Sequence, residues 1–162
     1  GTINVRNFTL TNGAWAQNTA SLPSFAASNS FTINGGSFLR VTGGAGTGGS
    51  PYQITDVYSL QGIKSLSMSN NYVLMNDIDA SGTSTWNSGV GFVPIGVSAA
   101  FTGSLNGLVN GINSTISGLS ITYSASGQSN IGMFSQTSGA TLQNFGFTDS
   151  VVTAPSGAQR RG

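Results

Sequence analysis

The sequence predicts an all-β protein, a parallel β-helix whose coils stack on one another, and three observations support this fold class. The stretch TISGLSIT at residues 115–122 reappears in similar chemistry as TLQNFGFT at 141–148. Self-similarity at a period of about 20 to 50 residues is typical of units that bury apolar side chains only against a neighbour. Apolar residues such as Leu119 and Ile121 are spaced by two, which is the period of a strand. Gly, Asn and Ser interrupt these pairs every few residues, as tight turns require.

The composition is that of a glycine-rich chain with few charges. Charged residues make up 6% of the 162 residues, the net charge is +1, and 38% of the residues are hydrophobic. Disorder requires low hydrophobicity with high net charge, so a folded domain is expected. The cations are scattered apart from the pair Arg160 and Arg161, and a nucleic-acid site would need a basic patch. The sequence therefore predicts no nucleic-acid partner.

Several kinds of chemistry are excluded by residue types that the chain lacks. It has no Cys, no His and no Glu, so disulfides, thiolate or imidazole metal sites and any triad with His are absent. We expect no cofactor. No apolar run reaches the length of a membrane span, and the first residues do not resemble a signal peptide, so membrane insertion is not expected. Because the sequence does not begin with Met, we expect a processed or excised piece of a larger protein.

The pattern along the chain predicts one domain over residues 1–152. Irregular N-terminal strands are expected over 1–50, helix-containing and loop-rich coils over 51–100, and regular repeat coils over 101–152. The remainder, 153–162, is predicted to be a flexible tail or one left by cloning.

One short helix is predicted within the middle region. Thr55 or Asp56 can cap its start, and Gly62 limits its stability, so about two turns are expected. The apolar residues that recur at helical spacing are Val57, Leu60 and Ile63.

The predicted core is a set of apolar side chains that alternate with polar ones in the repeat coils. Its members are Leu105, Ile116, Leu119, Ile121, Ile131, Met133, Phe134, Leu142, Phe145 and Phe147.

A succession of short motifs over residues 51–152 carries a family resemblance. In order they are YQITDVYSLQGI, NNYVLMNDIDASGT, GFVPIG, AFTGSLNGL, TISGLSI, NIGMFS and GATLQNFGF. This series resembles secreted bacterial exoproteins of the filamentous-haemagglutinin kind, exported by the two-partner route, and the glycine-leucine (GLUG-type) repeats of their passengers. The resemblance implies a right-handed parallel β-helix at the cell surface, an adhesive or matrix-building role without catalysis, and an outer-membrane export partner.

Asp77 and Asp79 are the sharpest candidates for chemistry. Carboxylates at i and i+2 of a strand point to the same face about 7 Å apart, close enough to hold Ca²⁺ or to act as an acid and a base. The alternative, which we favour, is a strand end with Asx turns, in which Asp accepts hydrogen bonds from backbone amides. Among the aromatic residues Trp86 lies in a polar loop, and it is the weak candidate for stacking on a sugar.

Asparagines are expected at the bends and as possible acceptors of glycans. In stacked turns their amides can form hydrogen-bonded ladders, for which the candidates are Asn106, Asn110, Asn130 and Asn144. Asn7 and Asn113 begin the pattern Asn-x-Ser/Thr of N-glycosylation, which is frequent by chance in such a chain.

These observations predict a non-enzymatic, secreted bacterial surface protein that acts as a stiff rod, as an adhesin or a component of a fibre or biofilm matrix. Its partners would be glycans or proteins of a host or a neighbouring cell. One alternative is a polysaccharide-binding or polysaccharide-cleaving protein that uses Asp77 and Asp79. The other is a self-assembling filament subunit, since unpaired strand edges at its ends could stack.

Overall fold

The computed structural model describes residues 1–123 and 130–154, and short strands dominate this part of the chain. The strands are β1 (Thr2–Leu10), β2 (Ala14–Asn18), β3 (Ser24–Ile33), β4 (Ser37–Val41), β5 (Tyr52–Ile54), β6 (Asn71–Leu74), β7 (Ile78–Asp79), β8 (Ser104–Asn106), β9 (Leu108–Val109), β10 (Ile112–Ser117), β11 (Ser120–Thr122), β12 (Thr141–Gln143), β13 (Phe145–Thr148) and β14 (Val151–Thr153). The helices are α1 (Val57–Gly62) and the 3-10 segments Ile63–Ser65 and Ser81–Gly89.

The named strands of the described residues pair in parallel, with one exception. Strands β12, β8, β6 and β5 form one sheet in that order, and β13, β10 and β7 form another. The pairs β1 with β3, β2 with β4, and β11 with β14 are separate two-stranded sheets. The exception is the antiparallel hairpin of β9 and β10. Its turn is formed by Asn110 and Gly111, whose positive φ angles of 51° and 80° suit a two-residue hairpin.

The prediction of a right-handed parallel β-helix is wrong. The strands are divided among small sheets of two to four strands, and the antiparallel hairpin and the 3-10 segment Ser81–Gly89 interrupt them, so no uniform coil repeats. The similarity of the two stretches predicted that Ile116 would pair with Leu142. In the structure Ile116 pairs with Phe147. Leu142 pairs instead with Leu105. Similar chemistry recurs at unequal spacing, so the repeat indicated an apolar pattern and not a pairing register.

The short helix α1 lies where the sequence predicted it. Asp56 is its N-cap, and its Oδ1 atom accepts hydrogen bonds from the backbone N and the Oγ atom of Ser59, both at 2.8 Å. Gly62 is required by packing, because a Cβ atom there would lie 2.5 Å from the carbonyl oxygen of Phe38. The glycine therefore lets the helix approach β4 closely.

A cluster of aromatic rings fills the N-terminal half of the core. The ring of Phe8 on β1 stacks on Phe31 of β3, with centroids 5.1 Å apart, and Trp15 of β2 stacks on Phe38 of β4 at 5.9 Å. The rings of β1 and β2 thus cover rings of β3 and β4. The other members of the cluster are Phe25, Tyr58 and Trp86.

The predicted core residues divide according to their position along the chain. Phe134 and Phe145 are partly buried against the core. Leu142 and Phe147 are 40% and 48% exposed, so their assignment to the core is wrong. They lie on β12 and β13, each of which is an end strand of its sheet among the described residues. The buried members are Leu105, Ile116, Leu119, Ile121, Ile131 and Met133.

The predicted tail at 153–162 lies outside the described residues except for its first two positions. Of these, Thr153 is the last residue of β14.

The guanidinium group of Arg40 is a buried clamp between three segments. Arg40 is 4% exposed, and its Nε atom lies 2.8 Å from Oδ2 of Asp56. Nη1 donates to Oε1 of Gln17 at 2.9 Å, and Nη2 donates to the carbonyl oxygen of Pro23 at 2.8 Å. The clamp therefore joins β4 to β2, to the segment before β3 and to the start of α1.

Replacing Tyr72 by Phe is expected to remove an alkaline loss of stability. Tyr72 is buried, and this desolvation raises the pKa of its phenol from 10.0 to about 12. Because the folded pKa is the higher one, its contribution is complete below pH 10 and is lost as the pH rises to about 12. The free energy of unfolding is measured with urea at several pH values. Between pH 10 and about 12 it should fall by about 2 to 3 kcal/mol more in the unchanged protein than in Tyr72→Phe. If the free energy of unfolding depended on pH in the same way in both proteins, Tyr72 would not be the source of the alkaline loss.

Candidate functional site

Asp77 and Asp79 are both engaged with backbone amides. Oδ1 of Asp77 accepts a hydrogen bond from the backbone N of Thr115 at 2.7 Å, across to the neighbouring strand β10. Oδ1 of Asp79 accepts from the backbone N of Ser81 at 2.9 Å, two residues further along the chain. The contact of Asp79 is the Asx turn that the turn interpretation expects, whereas Asp77 accepts its hydrogen bond from a residue 38 positions away in the sequence. Both contacts fix the ends of strands.

The electrostatics of Asp79 do not suit a general acid. Hydrogen bonding to Ser81 holds the pKa of Asp79 below its ordinary value. The carboxyl is therefore ionised at neutral pH and carries no proton to donate. In residues 1–123 and 130–154, no three His, Cys, Asp or Glu side chains lie together as a metal site.

Trp86 is wrong as a candidate for sugar stacking, because it is fully buried. The backbone of Trp86 is extended, with φ of −65° and ψ of 151°, and it interrupts the 3-10 segment in which the residue lies. Its ring stacks on Tyr58 at 5.3 Å between centroids and lies 5.2 Å from Phe31. A ligand cannot reach this ring. The large apolar area of an indole favours burial even when its sequence neighbours are polar.

The two glycosylation patterns lie in different surroundings. Asn7 is exposed on β1, and its Oδ1 atom accepts a hydrogen bond from Asn29. Asn113 is exposed in the hairpin of β9 and β10. Modification of either residue stays a prediction. One step of the expected asparagine ladder is formed, since Nδ2 of Asn144 donates to Oδ1 of Asn106 at 2.9 Å.

An apolar face lies at the C-terminal end of the described chain. We call it the last face and define it by β12, β13 and β14. Their side chains line a cleft of about 1090 Å³ together with deeper residues of the core. The apolar side chains that line the cleft are Leu119, Met133, Phe134, Leu142, Phe145, Phe147 and Val152. Of these side chains, Leu142 and Phe147 are among the exposed large hydrophobic residues of the described chain, whereas Leu119 and Met133 are buried.

Strand edges frame this apolar surface. Among the described residues β12 pairs only with β8, β13 only with β10, and β14 only with β11. Each strand of the last face therefore has one edge with free backbone N–H and C=O groups. Free edges next to apolar side chains are able to bind a further strand.

Sequence reasoning anticipated unpaired ends but missed the Arg40 clamp. The signal was present, because the period of two places Arg40 on the same face of β4 as Phe38. A buried arginine requires an acidic partner, and few acidic residues were available in so weakly charged a chain.

Comparison with known proteins gives one similarity. The chain is 40% identical over 129 residues to Halomucin of Haloquadratum walsbyi. The aligned region covers 74% of this chain. The chain spans about 1% of the length of Halomucin. No family model and no solved structure matches the chain. The resemblance to filamentous-haemagglutinin-like exoproteins therefore stays a prediction.

Within the described residues, no helix is both long and apolar enough to cross a membrane.

Proposed function

We propose that this chain is a non-catalytic structural module of a secreted or cell-surface protein. The similarity to Halomucin, which extends over 74% of the chain, carries this proposal. The name of that protein denotes a mucin, a class of protein that acts outside the cell. The module would contribute adhesion or matrix building, with glycans or proteins of other cells, or further copies of itself, as its partners.

The architecture supports a structural role. Short strands in parallel register hold a continuous set of buried apolar residues from Phe25 to Met133. The two carboxylates that could have served as an acid and base pair are occupied in fixing strand ends, at Thr115 and Ser81. Both carboxylates therefore stabilise the fold through these hydrogen bonds.

The location is tested in the organism that makes the protein. An antibody against this chain is applied to intact and to permeabilised cells. We expect labelling of intact cells, and its loss after brief protease treatment of the cell surface. Labelling that requires permeabilisation would contradict the proposal.

The absence of catalysis is tested with the two carboxylates that the alternative function would use. We expect no new reducing ends when the purified chain is incubated with acidic or neutral polysaccharides. The double variant Asp77→Asn with Asp79→Asn should behave in the same way, because an amide oxygen still accepts the two backbone hydrogen bonds. Cleavage by the unchanged chain that disappears in the double variant would overturn the proposal in favour of a polysaccharide-cleaving enzyme.

A further inference from the structure

Four asparagines of the chain are each followed directly by glycine, and the fold holds these four steps differently. A side-chain amide is lost most easily at such a step, because glycine has no Cβ atom to hinder the approach of its backbone nitrogen to the asparagine side chain. The four steps begin at Asn12, Asn34, Asn106 and Asn110. Their sequence is the same, so any difference in reactivity comes from the structure.

The step at Asn12 lies in the turn between β1 and β2, and it holds its two reacting groups side by side. The backbone N of Gly13 donates a hydrogen bond to Oδ1 of Asn12 at 2.7 Å. Because Oδ1 is bonded to Cγ, this nitrogen lies next to the carbon atom that it would attack. Both residues are exposed, so water reaches the turn. Holding reactants together in this way lowers the barrier to ring closure.

Two of the other steps engage the glycine nitrogen elsewhere. The nitrogen that follows Asn34 donates to the carbonyl oxygen of Leu10 at 3.3 Å. The nitrogen that follows Asn106 donates to the carbonyl oxygen of Gln143 at 3.0 Å. Each of these hydrogen bonds must open before the nitrogen can reach the side chain, so the fold protects both asparagines.

The step at Asn110 is exposed in the hairpin of β9 and β10, but its backbone conformation is unsuitable. The φ angle of Asn110 is 51°, which is the left-handed region. In that region ψ is about +47°, and the following nitrogen then lies on the far side of the Cα–C bond from Cβ. The nitrogen is therefore turned away from the side-chain amide that it would have to attack.

We propose that Asn12 is a site of spontaneous deamidation that the turn favours over the other three steps. The backbone N of Gly13 gives its proton to water or hydroxide and bonds to Cγ of Asn12. The bond between Cγ and Nδ2 breaks, and the nitrogen leaves with a proton as ammonia. Water then opens the cyclic imide at either C–N bond and gives aspartate or isoaspartate. The sum consumes water and releases ammonia, and nothing is oxidised or reduced.

The product differs from the original chain in charge and in backbone length. The new carboxylate changes the formal net charge from +1 to 0, since +1 − 1 = 0. Isoaspartate also adds a methylene group to the backbone next to Gly13, whose carbonyl oxygen accepts a hydrogen bond from the backbone N of Ser37 at 2.9 Å. Deamidated chains should therefore separate as a more acidic species. The inference rests on two adjacent residues and needs neither a partner nor a free strand edge.

The experiment compares the four steps within one molecule. The purified chain is kept in mildly alkaline buffer made with water enriched in heavy oxygen, once folded and once unfolded in urea. Samples are acidified, digested and analysed by mass spectrometry, and the heavy oxygen marks only carboxyl groups formed during the incubation. The variant Asn12→Gln is the matched control, because it keeps an amide at this position but closes a ring far less readily. Circular dichroism shows that both chains are folded.

The expected result is a change of order between the two conditions. In urea the four asparagines should react at similar rates, because their sequence step is the same. In the folded chain Asn12 should react at least as fast as in urea, whereas Asn34, Asn106 and Asn110 should slow by about tenfold or more, since they react from locally opened states. The acidic species should be largely lost in folded Asn12→Gln.

Two outcomes would overturn the proposal. One is a rate at Asn12 in the folded chain that is no higher than the rates at the other three steps. The other is an acidic species that forms as fast in folded Asn12→Gln as in the unchanged chain, which would place the deamidation at another residue.

Discussion

Replacing Arg40 by Met is expected to destabilise the protein by about 2 to 4 kcal/mol, somewhat less than loss of one partner of a fully buried ion pair, because the side chain of Asp56 is 27% exposed. The change leaves the carboxylate of Asp56 without its partner at 2.8 Å. It also leaves the side chain of Gln17 and the carbonyl oxygen of Pro23 without their donor. Total stabilities are about 5 to 15 kcal/mol, so the variant should unfold at a much lower urea concentration.

The variant Asp56→Asn separates the ion pair from the helix cap. Asn caps a helix about as well as Asp, so the hydrogen bond from Ser59 is kept while the negative charge is lost. We expect a cost of about 3 kcal/mol, because Arg40 is then buried without a counter-charge. The double variant Arg40→Met with Asp56→Asn should cost clearly less than the sum of the single variants. Additive costs would contradict a direct interaction between the two side chains.

Replacing Trp86 by Ala should cost about 3 to 5 kcal/mol, as expected for a large buried ring whose removal leaves a cavity. The ring is fully buried against Tyr58 and Phe31. Trp86→Phe should cost far less, because the indole Nε1 atom has no hydrogen-bond partner among the described residues and nothing polar is lost with it. Equal costs for the two variants would contradict the packing role.

Fluorescence gives an independent test of the position of Trp86. In the background Trp15→Phe, Trp86 is the single tryptophan, since the chain has two. We expect emission at short wavelength and poor quenching by iodide, because water and ions do not reach a buried ring. Polysaccharides should leave the emission unchanged. Strong quenching by iodide would show that the ring is accessible and would return it to the candidates for sugar stacking.

The sequence supported local predictions well, because they depend on neighbours along the chain. The helix α1 follows from a capping Asp56 and apolar residues at helical spacing. Asn110 was expected at a bend, and its positive φ of 51° places it in a turn with Gly111. The inward position of Leu105, Ile116 and other apolar residues follows from the period of a strand.

Register and fold class could not be predicted in the same way. Pairing depends on which strands lie side by side, and the hairpin of β9 and β10 lengthens the connection between β8 and β11. The sequence analysis aligned residues 115–122 with 141–148 because their chemistry is similar. Their residues pair differently in the structure, for example Ile116 with Phe147. The burial of Trp86 and the exposure of Leu142 are tertiary properties as well. Both depend on which elements cover the residue.

The central claim is that the strands of the last face lie in parallel register on the strands before them, which leaves their outer edges free. Disulfide trapping tests it, since the chain has no cysteine of its own. Ser104 is the register partner of Thr141 in β12. An antiparallel pairing of the same two strands would place Ser104 opposite Gln143.

The measurement compares two double variants under mild oxidation, with crosslinks within one chain identified by mass spectrometry. Ser104→Cys with Thr141→Cys should form an intramolecular disulfide, because adjacent register partners lie within bonding range. Ser104→Cys with Gln143→Cys should not, because two residues of offset separate the Cα atoms by about 8 Å. A crosslink in the second variant and none in the first would contradict the parallel register and the last face that depends on it.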